Sequence, residues 1–124
     1  MQKLNTLMEI ARRKAAFDLG HNWSNGPETY LTAIKNEADE VIEEISNSRP
    51  CYLEDELTDI LWNYLNVLAA LEKEADIDLP SVLTRACNKY EERMSGIESG
   101  ERWADIKQRQ KQKLADEYRL EQHT

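Results

Sequence analysis

Lys35-Asn36-Glu37-Ala38-Asp39-Glu40-Val41-Ile42-Glu43-Glu44-Ile45 and, after a short break, Leu53-Glu54-Asp55-Glu56-Leu57-Thr58-Asp59-Ile60-Leu61-Trp62 are two stretches written on one plan. Read at about 100° per residue, Ile34, Ala38, Val41 and Ile45 form an apolar stripe on the first. Glu37 and Glu40 lie about 60° and 120° to one side of Ile34. On the second, Leu53, Leu57, Ile60, Tyr64 and Leu71 form the stripe, and Glu56 and Asp59 stand at the same two offsets from Leu53. Two E-x-x-[ED] pairs at the margin of a helix–helix contact bring four carboxylates toward one point. Half-buried, such charges repel one another and are costly to desolvate unless a cation neutralises them. Hard oxygen ligands at this density suit Mg²⁺, with Mn²⁺ as a substitute.

Outward from these stretches the helical period continues, broken where turn formers cluster. A first amphipathic segment spans about Leu4–Phe17. Trp23-Ser24-Asn25-Gly26-Pro27 reads as a loop, with Pro27 suited to the first turn of a helix over about 27–47. Ser46-Asn47-Ser48-Arg49-Pro50 ends that helix, and a third follows over about 52–74. Asp78 or Ser81 caps a fourth that Ser95-Gly96 closes near Met94, and a fifth starts at Glu101 and frays from about residue 115. No strand-like alternation occurs, so the expected fold is all-α, a bundle of four to five helices in one domain over 1–124. Trp62 points away from Leu53, and Leu61, Leu65 and Leu68 widen the apolar surface on that side. Either a second subunit completes the core there, or the first or last helix of the same chain covers it.

Composition narrows the partners. The 124 residues carry 16 basic and 24 acidic side chains, a formal charge of -8, so a nucleic-acid backbone or an anionic membrane is repelled by the average surface. A phosphate ligand needs bridging cations. No apolar run reaches the roughly 20 residues of a bilayer span, and the first residues lack a signal peptide's apolar core, so a cytoplasmic protein is expected. Cys51 and Cys87 follow no C-x-x-C spacing and read as packing residues, and neither His21 nor His123 has a ligand spacing. A di-iron carboxylate bundle would need two E-x-x-H motifs, and the chain has none.

The two acidic stretches resemble the MazG-like nucleoside triphosphate pyrophosphohydrolases of the all-α NTP pyrophosphatase superfamily, whose pattern is E-E-x-x-E followed by E-x-x-D. Glu37, Glu40, Glu56 and Asp59 match it, and Asn36 stands where the first glutamate is usual. Asn88-Lys89-Tyr90-Glu91-Glu92-Arg93 is similar to the family's K-x-x-x-R segment, and Trp103-Ala104-Asp105-Ile106-Lys107 to its W-x-x-I-K segment. The likeness covers about residues 23–113. It implies Mg²⁺-dependent cleavage of a (d)NTP between the α and β phosphates to (d)NMP and pyrophosphate, as nucleotide-pool house-cleaning. It also implies a homodimer or a dimer of dimers. Glu37, Glu40, Glu56 and Asp59 would be the metal-holding catalytic acids.

The same resemblance makes Lys89 and Arg93 phosphate contacts, the alternative being surface ion pairs with Glu91 and Glu92. Trp23 falls where a family tryptophan contacts substrate. Asn63, one turn after Asp59, and Asn66 either hydrogen-bond sugar or base or are helix-surface amides. With Asn36 in the glutamate's place, orientation of the attacking water passes to Glu44 or Glu43, or weakens. The competing expectation is a helical module that has lost efficient catalysis and binds nucleotide or a protein partner. Base and sugar preference are not written in these motifs.

Overall fold

The computed structural model describes residues 2–19 and 26–123. Trp23 and His21 lie outside the described residues. Five helices and no strand occur among those described: α1 Gln2–Leu19, α2 Pro27–Ile45, α3 Pro50–Glu74, α4 Leu79–Glu98 and α5 Trp103–Gln122. All three prolines sit in first turns, where a missing N–H costs nothing and a fixed φ favours the helix: Pro27 and Pro50 open α2 and α3, and Pro80 is the second residue of α4. The chain divides into two compact units, Met1–Leu79 and Pro80–Thr124.

In the first unit α3 packs against both α1 and α2. Five successive residues of α3, Leu65, Asn66, Val67, Leu68 and Ala69, are buried, which is more than one turn, so the helix is covered on every side at that level. Met8 and Ala11 of α1 and Tyr30 of α2 join this core. Each large apolar side chain among them contributes about 1.5–3 kcal/mol by leaving water. The sequence stripe is corrected here: Leu57 is 49% exposed, Tyr64 40% and Ile45 61%. A single-stripe reading of α3 chose one arc of a helix that is apolar on several, and the core gathered at its middle instead.

Ion pairs fix the elements of this unit. Arg12 reaches from α1 to Glu72 on α3, with Nε to Oε2 at 3.0 Å and Nη2 to Oε1 at 2.8 Å, and also pairs with Glu9. Between α2 and α3, the guanidinium of Arg49 clasps the buried Glu44 carboxylate through two bonds, 2.7 and 3.0 Å, and stacks over the Tyr52 ring at 4.0 Å. The turn is therefore closed by a bidentate, charge-assisted pair.

In the second unit α4 runs on to Glu98, past Ser95-Gly96, where the sequence suggested a stop. Gly96 is an interior helical residue. A Cβ there would lie 2.5 Å from Ile106 Cδ1 and 2.6 Å from Glu101 Oε2, so glycine is favoured by the close approach of the buried Ile106 rather than by a turn. The helix ends instead at Gly100, whose φ is 96°. Residues 115–122, expected to fray, continue α5 to Gln122, tied by Gln112 to Asp116, Arg119 to Asp116 and Arg85 to Glu117.

Candidate metal centre

A short turn makes α2 and α3 an antiparallel pair, so the middle of one faces the first half of the other. Three of the four expected acids meet there: one carboxylate oxygen each of Glu37, Glu56 and Asp59 lie within 4.8 Å of one another, all three residues half-buried. Glu40, exposed, stands beside the carboxyls of both Glu37 and Glu56.

Burial pushes the Glu37 and Glu56 carboxyls above the ordinary carboxylate value. The adjacent carboxyl of Glu40 adds to this in each, and Asp59 adds further repulsion. Oε2 of Glu37 and Oε2 of Glu56 are buried without any hydrogen-bond partner. Clustered like charges and two orphaned acceptor oxygens form an incomplete polar site, and a hard divalent cation would neutralise all three acids at once. The donor set, all carboxylate oxygen, fits Mg²⁺ or Mn²⁺ and not a soft metal.

The neighbouring residues sort themselves. Asn63 donates from Nδ2 to the Asp59 carbonyl at 2.8 Å, and Asn66 donates likewise to the Trp62 carbonyl at 2.8 Å while its Oδ1 is buried without a partner. Glu44, one of the two acids expected to take over water orientation, is corrected. Arg49 holds its carboxylate below the usual range and occupies both its oxygens, so it cannot serve. Glu43 shares Asn36's side of α2 but lies seven residues, about 10 Å, further along.

Lys89 and Arg93 belong to the second unit. Arg93 donates from Nε to Gln110 Oε1 at 2.7 Å, and its guanidinium lies over the rings of Tyr90 and Trp103 at 5.2 and 5.0 Å. Lys89 is exposed beside Tyr90. The alternative of ion pairs with Glu92 does not form, since Glu92 accepts from Arg109 and Gln110. What sequence reasoning missed was Arg49, whose only signal was a basic residue five positions after Glu44.

No curated protein and no solved structure matches the chain. The family model described as MazG nucleotide pyrophosphohydrolase domain matches residues 25–97, a span holding both acidic helices and the Lys89–Arg93 segment. All-α architecture, paired acids on consecutive helices and that match agree, and the chain belongs to the MazG nucleotide pyrophosphohydrolase family.

Proposed function

We propose that the protein is a Mg²⁺-dependent nucleoside triphosphate pyrophosphohydrolase, cleaving a (d)NTP between the α and β phosphates to (d)NMP and pyrophosphate. The observation that carries this is the Glu37–Glu56–Asp59 cluster with its two unpartnered buried oxygens, in a chain of this family. Glu37, Glu56 and Asp59 would hold the ion. The chemistry such an ion would supply there is charge neutralisation for the leaving pyrophosphate and a lowered pKa for water.

The chain's own residues do the rest. An amide at Asn36 can orient a water and cannot take its proton. Glu40, one turn on at i+4 and beside the cluster, would be the carboxylate that accepts that proton at its Oε. Lys89 and Arg93 would steady the phosphates; the Arg93 head group is already oriented by Gln110 and two rings. Ile42, Leu57, Leu61 and Tyr64 leave large apolar side chains exposed on α2 and α3, which a second copy would cover in a homodimer or dimer of dimers. Among the described residues no helix is long and apolar enough to cross a membrane, and nucleotide-pool house-cleaning in the cytoplasm is the role this reading gives.

Pyrophosphate release from a panel of (d)NTPs with Mg²⁺ or Mn²⁺, run beside Glu56→Ala and Asp59→Ala, tests it. Metal-dependent release lost in both variants supports the assignment; no release from any nucleotide overturns it. The exposed Asn36 favours one second reading, a nucleotide-binding module with damped catalysis. Asn36→Glu separates the two, raising kcat in a damped enzyme and producing no turnover in a pure binder.

A further inference from the structure

The part of the α2–α3 hairpin that holds the acids has little apolar packing to align it. From Leu31 to Tyr64, across most of α2, the turn and the first part of α3, Glu44 is the single buried residue. Every apolar side chain in that span is half-buried or exposed, and the buried core of α3 begins only at Leu65. Apolar contact is non-directional. Where it is also incomplete, it leaves two helices free to slide or turn against one another at little cost.

Glu44 supplies direction through Arg49. Its two oxygens accept from Nη2 at 2.7 Å and from Nε at 3.0 Å, and the Tyr52 ring of α3 lies 4.0 Å from the guanidinium. A planar fork on a carboxylate specifies angle as well as distance. A buried ion pair seldom stabilises a fold more than an apolar pair of the same volume would, and its best-attested use is to fix register.

The clasp and the acidic cluster stand in one register. Glu44 lies seven residues after Glu37 on α2, and Arg49 seven residues before Glu56 at the start of the antiparallel α3. Tyr52, Glu56 and Asp59 recur at i, i+4 and i+7, so the ring beside the guanidinium shares a face with both α3 acids. On each helix the two sites are thus about 10 Å apart. A slip of one residue would carry Glu56 about 1.5 Å along the axis and about 100° around it, and a small hard cation tolerates little spread in its ligands.

We propose that Glu44 and Arg49 are positioning residues for the cation site: their bidentate pair sets the register of α2 against α3, and with it the spacing of Glu37 from Glu56 and Asp59. The inference rests on the reading of those acids as a Mg²⁺ site.

Titration of the full chain with Mn²⁺ alone, the free ion followed by its electron paramagnetic resonance signal, tests this beside thermal unfolding without metal. Glu44→Leu combined with Arg49→Met removes both charges, leaves the net charge unchanged and puts an apolar pair in their place. Metal-free Tm should then hold or rise, while Mn²⁺ binding weakens by about 10-fold or more. Arg49→Lys keeps the charge without the fork, and its affinity should fall between the two. A folded double variant that binds Mn²⁺ as tightly as the wild type overturns the proposal, and so does a loss of affinity that only follows a loss of Tm. If the double variant fails to fold, Arg49→Lys decides, and an unchanged affinity there is the refuting result. Glu56→Ala, which should abolish binding, identifies the site being read. A wild type that binds no Mn²⁺ defeats the cation reading and the proposal together, whereas wild-type binding with unaltered variants defeats the positioning role alone.

Discussion

Replacing Glu37 by Gln removes one negative charge from the cluster while keeping its shape. Its oxygen lies within 4.8 Å of oxygens on Glu56 and Asp59. At that distance one pair of unit charges repels by about 0.9 kcal/mol at the dielectric of water and about 3.5 kcal/mol at an effective constant of 20. The residue is half-buried, so values toward the aqueous end apply, and relief of its two repulsions stabilises the metal-free protein by about 1–2 kcal/mol. For a chain of this size that is a rise in Tm of about 3–10 °C. Thermal unfolding followed by circular dichroism, with EDTA and with Mg²⁺, measures both halves of the argument.

The wild type should gain stability with Mg²⁺, by about 2.7 kcal/mol at a hundredfold excess over Kd, and Glu37→Gln should gain little. The pH dependence has a definite sign. Glu37 and Glu56 titrate above their unfolded values, so the folded state binds the extra protons and metal-free stability falls as pH rises from the ordinary carboxylate value through the raised ones. Glu37→Gln should flatten that fall, and the Mg²⁺ increment should grow over the same window. A lower metal-free Tm in Glu37→Gln, or an undiminished response to Mg²⁺, would refute the reasoning.

Other perturbations have equally definite expectations. Gly96→Ala gains about 1 kcal/mol of helix propensity but drives a methyl against the fully buried Ile106, an overpacking cost of about 1–3 kcal/mol. A lowered Tm that Ile106→Val partly restores is expected, and a raised Tm would contradict the close-contact account. Arg49→Met leaves the Glu44 carboxylate buried without its partner and should lower Tm at neutral pH. Because Glu44 titrates below its unfolded value, the pair's contribution in the wild type is present above the ordinary carboxylate range and lost as pH falls through the depressed one. An acid-melting profile unchanged by Arg49→Met would argue against the clasp. Leu61→Glu places a charge on the exposed apolar face of α3 and should shift light-scattering mass toward the monomer; an unchanged mass moves the interface elsewhere.

The acidic site was legible because it is local in sequence: i, i+3 spacing on two consecutive helices determines which side of each helix the carboxylates occupy, and a short turn makes them meet. The core was less so. Leu57 and Ile45 fit an amphipathic stripe and are exposed, because burial on α3 is decided by what packs around Leu65–Ala69, and helical periodicity carries no record of a neighbour's position. Gly96 was misread for a related reason: a glycine that lets two helices approach and one that ends a helix look alike until Ile106 is seen against it. The Glu44–Arg49 clasp joins residues five apart across a turn, a separation at which no helical rule predicts contact.

That clasp has a consequence for what the protein can tolerate. Glu44 lies seven residues from Glu37 on the same face of α2, yet an arginine holds one carboxyl low while burial and like charge hold the other high. The hairpin therefore keeps its alignment under acidity that would already have emptied the cation site. Loss of the ion and loss of the framework are separate events, and a chain stripped of metal at mildly acid pH should recover its site on neutralisation without having to refold.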